Sequence, residues 1–192
     1  MEILKTKLMI AIIISLVFVG CGKDDDFKPT TNNAPFTFLK VGHEWKYGIY
    51  NNDTDSLIKD TIKPKIISQN DGYFKVTTDD DLYDDDFQYW FTNNEGWFSG
   101  WFSNDNTTSD LVMPLNCYVG LKYDSPNFYN CFAEIVSVSA TVSVPAGTFN
   151  NCIKIKENPT PDIISYAYFH KDVGIIMSSA NFTTLKLISK NF

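Results

Sequence analysis

Between Ile135 and Val144 the chain alternates strictly. Val136, Val138, Ala140, Val142 and Val144 fall on one face, with Ser137, Ser139, Thr141 and Ser143 on the other. A period of two predicts a strand with one face in a core and one in water. Pro145-Ala146-Gly147-Thr148 then supplies a turn: proline restricts φ and glycine permits values other residues avoid. Ile153 and Ile155 alternate with Lys154 and Lys156 on the predicted returning strand. Tyr166 and Tyr168, Ile175 and Met177, and Leu185 and Leu187 mark three more strands. Upstream, Trp45, Tyr47 and Ile49 alternate with Lys46 and Gly48. The stretch Leu57 to Ser68 is rich in β-branched residues but broken by Pro64, which favours an edge strand or a bulge. Asn70-Asp71-Gly72 reads as a turn, and Phe87–Phe91 and Trp97–Phe102 read as a hairpin around Asn93–Gly96. No convincing helical period runs beyond about two turns. The expectation is an all-β protein of about ten short antiparallel strands, arranged as a curved sheet, half-barrel or barrel.

The N-terminus obeys a different pattern. Lys5 and Lys7 precede an apolar run from Leu8 to Val19, broken only by Ser15 and followed by Gly20 and Cys21. This run is too short to span a bilayer as a helix, which takes about 20 residues. Its charged start, apolar middle and small-residue end have the form of a secretory signal. Residues 22–35 hold Lys, Asp, Pro, Thr and Asn with one large apolar residue, Phe27, and so read as a flexible tether. The expected organisation is a signal at 1–20, a lipidated cysteine and acidic tether at 21–35, and one β-rich domain at 36–192.

Phe18-Val19-Gly20-Cys21 resembles the lipobox of bacterial lipoproteins, with Phe18 where leucine is usual. The resemblance implies cleavage between Gly20 and Cys21 and acylation of Cys21, giving attachment to a membrane through acyl chains. Several chains together make such anchoring stable. Lys23-Asp24-Asp25-Asp26 is similar to the export signal of surface lipoproteins in Bacteroidota, which implies delivery to the outer leaflet of the outer membrane. A solvated acidic spacer is the other reading of these four residues.

Three further segments resemble a broad set of uncharacterised secreted proteins and lipoproteins. They are Leu39-Lys40-Val41-Gly42-His43-Glu44-Trp45, the stretch Val144 to Ile155, and the stretch Tyr168 to Ile176. The resemblance implies a β-rich envelope protein and no catalytic residues. Some remote relatives look like the Lol-type lipoprotein carriers, whose curved sheet binds acyl chains, an analogy of fold alone.

Charge narrows the functions. The 192 residues include 16 bases, all lysine, against 23 acids, for a net charge of −7. That excludes a basic nucleic-acid binder, and the absence of arginine excludes a guanidinium phosphate clamp.

Several clusters carry candidate chemistry. Two runs of three aspartates make Asp79, Asp81, Asp84 and Asp86 a weak Ca²⁺ candidate, since that ion takes 6–8 oxygen ligands. Their spacing fits no EF-hand, and a solvated loop is the commoner outcome. Trp97 and Trp101 share a strand face by period, with Phe98 and Phe102 opposite, so an exposed aromatic binding face for a glycan or protein is one reading. Core filling is the commoner one. Cys117 and Cys131 flank a short loop and form the expected disulfide in an oxidising compartment, leaving Cys152 as a thiol. Asp55-Ser56-Leu57 and Asp60-Thr61-Ile62 look like the O-glycosylation sequon of Bacteroidota envelope proteins, which implies Ser56 and Thr61 as acceptors. With two histidines and no nucleophile elbow or phosphate loop, the chain has no linear signature of an enzyme, and no cofactor is implied.

The function expected is therefore a non-enzymatic, lipid-anchored outer-membrane protein with a binding or structural role. The runner-up is a periplasm-facing carrier of lipid or lipoprotein with a concave apolar pocket.

Overall fold

The computed structural model describes residues 36–78, 87–103, 106–124, 132–160 and 163–192. Among them there is no helix, and thirteen strands form two antiparallel sheets. The larger sheet takes eight strands in the order β2(Leu57–Ile62), β1(Trp45–Asn51), β13(Thr183–Lys190), β12(Gly174–Ala180), β11(Ile163–His170), β10(Gly147–Thr160), β9(Phe132–Val144), β8(Lys122–Asp124). The smaller is a meander of β3(Lys65–Asn70), β4(Tyr73–Thr77), β5(Phe87–Thr92), β6(Gly96–Ser103) and β7(Asn106–Pro114). The all-β antiparallel expectation holds. The count of about ten strands is too low, and there are two sheets, neither closed into a barrel.

Pro64 lies where the chain leaves one sheet for the other. It has no N–H to offer a ladder, and both flanking strands, β2 and β3, are sheet edges. Asp71 and Gly72 both have positive φ (48° and 83°) in the β3–β4 turn, the backbone that matches the twist of a tight hairpin. At the β5–β6 turn the Asn93 side chain accepts from the amides of Glu95 and Gly96, closing the connection with local hydrogen bonds.

The larger sheet curls because its two longest strands are bulged. The register between β9 and β10 shifts three times between Gly147 and Glu157. Asn151, in one of these irregularities, has φ 56°, a conformation asparagine tolerates better than most residues. The curl brings the hairpin turn onto the opposite side of the sheet, where the Ala146 amide donates to the Leu187 carbonyl at 3.1 Å. The result is a half-barrel.

The bulges also correct the simple alternation expected for β9. Ala133 and Ile135 face the core at one end, and Val142 does so at the other, so the inward phase changes from odd to even positions. Val138 falls in the changeover and is 40% exposed. Each extra residue reverses every side chain beyond it.

The core lies inside the half-barrel and between the two sheets. Ile135, Ile155, Ile176, Leu187 and Cys152 line the larger sheet's inner face and are sealed from solvent. Trp90 and Trp97 come from the smaller sheet. Phe38, ahead of β1, wedges between the sheets, with ring centroids 4.9 Å from Trp97 and 6.1 Å from Trp45. On the opposite face of the smaller sheet, Tyr89, Phe91 and Phe98 form a second buried cluster.

Candidate functional site

The three segments that carry the family resemblance meet at one end of the half-barrel. Trp45 begins β1, and its indole N–H donates to the Val173 carbonyl at 2.6 Å. Two residues on, the Tyr47 hydroxyl donates to the Ile175 carbonyl at 2.9 Å. Burial holds that phenol protonated, raising its pKa above the ordinary value. Thr37 donates to the Asp172 carboxylate at 2.9 Å. Gly174 has φ 89°, a conformation that favours glycine, and a Cβ there would make ordinary contact with the Phe38 ring at 3.4 Å. Phe149, from the β9–β10 hairpin, packs near His170 with centroids 6.2 Å apart.

The same junction ties the sheets together. The Trp45 amide donates to the Pro64 carbonyl, and the Gly42 amide to the Ile66 carbonyl, at 3.0 and 2.8 Å. Phe192 stacks flat on His43 at 4.0 Å and edges onto Trp45. Apart from the exposed Thr37–Asp172 hydrogen bond, the contacts named here are packing or clamps on backbone groups. The motif residues build a joint between the two sheets, and the chemistry they carry is hydrogen bonding that satisfies buried donors.

Trp97 corrects the exposed-face reading. It is 2% exposed, lies against Phe38 and Trp90, and belongs to the core between the sheets. Phe98 is buried on the opposite face, as the period of two requires. The backbone of Trp101 pairs with that of Gln88 in the β5–β6 ladder. Trp97 also carries a cost. Its indole N–H is buried with no hydrogen-bond partner among the described residues, and the aromatic faces around it accept an N–H only weakly.

The other candidates are scattered. Asp79, Asp81, Asp84 and Asp86 lie outside the described residues, as do Gly20, Cys21, Lys23, Asp24, Asp25 and Asp26. Among the described residues no cluster of three or more His, Cys, Asp or Glu has the arrangement of a metal site. Cys117 is a free thiol whose Sγ donates to the Pro114 carbonyl at 3.1 Å, and Cys131 lies outside the described residues. Burial pushes the thiols of both Cys117 and Cys152 up to about 11, so both stay protonated and weakly nucleophilic near neutral pH. Ser56 is exposed in the β1–β2 turn, 2.7 Å from the Thr54 hydroxyl, and Thr61 lies on the edge strand β2.

A group that sequence reading did not single out occupies the outer face of the larger sheet. Lys154 and Lys156 alternate with the inward-facing Ile153 and Ile155, and in register they lie opposite Tyr168 and Tyr166 on β11. The Lys154 ammonium sits 4.2 Å from the centroid of the Tyr166 ring and 5.4 Å from that of Tyr168. Tyr168 lies opposite Met177, and Met177 opposite Lys186. Lys186 in turn sits 4.7 Å from the Tyr50 ring and pairs with Asp55. The signal was present in the Ile-Lys-Ile-Lys alternation, but the location of the tyrosines relative to it depends on strand order.

No protein-family model and no curated protein matches the chain. Among solved structures, it is similar to a "putative lipoprotein" from Parabacteroides distasonis ATCC 8503, at 14% identity and a TM-score of 0.46. That likeness covers 83% of this chain and 100% of the other.

Proposed function

We propose that the chain is a lipid-anchored outer-membrane lipoprotein, displayed at the cell surface, with a non-enzymatic binding or structural role toward a glycan or protein. The observation that carries this reading is the short apolar run ending in Phe18-Val19-Gly20-Cys21, followed by a polar, acidic stretch that leads directly to Phe36. Phe36 is already buried in the core, so the tether would attach at the joint between the sheets. The acidic residues after Cys21 support export to the outer leaflet. The exposed position of Ser56 supports its role as an O-glycan acceptor, with Thr61 the second acceptor. The protonated thiols of Cys117 and Cys152 support the non-enzymatic reading.

The carrier reading draws on the half-barrel shape. It needs a hollow apolar interior, whereas Ile135, Ile155, Ile176 and Leu187 fill the inner face with their own side chains. The binding reading therefore leads.

Metabolic labelling with an alkyne fatty acid tests the anchor. The wild-type chain should be labelled and Cys21→Ala should not; equal labelling of both would reject the lipoprotein. In the same cells, proteinase K should digest the labelled protein while a periplasmic control stays intact. Protection until lysis would reject surface display.

A further inference from the structure

We propose that the outer face of the eight-stranded sheet binds an anionic polysaccharide, a chain bearing carboxylate or sulfate groups, through Lys154, Lys156, Tyr166 and Tyr168. The inference rests on the binding reading above and names the chemistry of the ligand.

Charge is the first argument. The chain carries 23 acids against 16 lysines, so an unneutralised cationic patch runs against its composition. Lys65 and Lys186 each have an acidic partner, Glu44 and Asp55. Lys154 and Lys156 have none among the described residues. Glu134 lies opposite Lys156 in register but makes no ion pair with it. These two ammonium groups therefore remain available to an anion.

Preorganisation is the second. A free lysine loses much rotamer freedom on binding, but Lys154 is already held over the Tyr166 ring. Tyr166 and Tyr168 are themselves half-buried on a central strand, flanked by β10 and β12. Rigid rings beside ordered cations reduce the entropy lost on association.

Shape is the third. The row Lys154, Tyr168, Met177, Lys186 crosses four adjacent strands, a span of roughly 14 Å at the usual strand spacing. Small molecules take concave pockets, whereas this row runs across the face of a sheet. An extended peptide adds to a free strand edge, and these strands are paired on both sides. A protein partner would want a central apolar anchor, but here the centre of the row is one half-buried ring and one thioether, bracketed by lysines. A long polar chain bearing negative charges fits what is left: its charges meet Lys154 and Lys156 and its ring faces meet the tyrosines.

The test uses the full chain purified in detergent, with polygalacturonate and chondroitin sulfate as probes and neutral dextran and a single-stranded oligonucleotide as comparisons. The wild type should bind at least one of the anionic polysaccharides, and more weakly as ionic strength rises. It should not bind dextran, and it should favour the polysaccharide over the oligonucleotide. The double variant Lys154→Gln with Lys156→Gln should lose about tenfold or more in affinity. Lys171→Gln, an exposed lysine in the β11–β12 turn, should leave binding unchanged. A thermal melt confirms that each variant is folded. Should the double variant melt early, Tyr168→Phe with Lys156→Gln replaces it and should also weaken binding. The proposal is overturned by binding to neither anionic polysaccharide, by equal affinity of the folded variants and wild type, or by preference for the oligonucleotide. None of these outcomes depends on acylation of Cys21, so this failure and failure of the anchor are read separately.

Discussion

On β10 and β11 of the larger sheet, residues one position apart live in different solvents. Ile155, Ala167 and Phe169 face inward and are sealed, while Lys156, Tyr166 and Tyr168 face outward and are half-buried at most. The inner side is closed by the curled β9–β10 hairpin and by the smaller sheet. On the outer side long side chains lie across one another, with the Lys154 ammonium beside the Tyr166 and Tyr168 rings. The comparison separates two kinds of contact. Inner contacts are dense, and they stabilise through burial of apolar surface. Outer contacts among the described residues are more solvated, so they contribute less to stability.

Substitutions should divide along that boundary. The largest effect is expected at Trp45, which packs against Phe38, Trp90 and Phe192 and donates to the Val173 carbonyl. Trp45→Ala should cost about 3–5 kcal/mol in a denaturant titration. A loss below about 1 kcal/mol would show that the joint between the sheets is not what holds the fold. Gly174→Ala comes next, at about 1–2 kcal/mol, because alanine at φ 89° is strained. An unchanged melting temperature would remove the conformational argument for this glycine. The smallest effect belongs to the outer face. Lys154→Gln should change stability by at most about 1 kcal/mol, since a cation over a half-buried ring on the outer face contributes little. A loss as large as that of Trp45→Ala would mean the face is structural, and the contrast between the two sides would collapse.

The strand reading from local pattern was accurate where a strand has one phase. The Trp45, Tyr47, Ile49 alternation became β1 with Trp45 and Tyr47 inward. Asn70-Asp71-Gly72 and Asn93–Gly96 became the hairpin turns their chemistry favours. The reading failed on β9, where bulges change phase between Ile135 and Val142. Pro64 was legible as a break, but not as the point where the chain changes sheets. Trp97 was legible as one of an aromatic pair, and its face followed from the period. Whether that face met water or another sheet did not, because nothing local encodes what packs across from it. Cys117 and Cys152 were visible as cysteines, but the burial that keeps them protonated was not.

The amino-acid sequence by itself determined the strand-rich class, the turn positions and the acidic surface. These depend on neighbours within a few residues or on a simple sum of charges. It also carries the signal-like segment and Cys21, whose chemistry is read as linear sequence. Only the tertiary structure decided that Trp45 would meet Val173, that the N-terminal wedge would bring Phe38 between the sheets, and that Lys154 would lie over Tyr166. Each of those contacts requires strand order, register and bulge position together. Periodicity sets which side chains share a face, but the partner of that face is chosen by the packing of the whole chain.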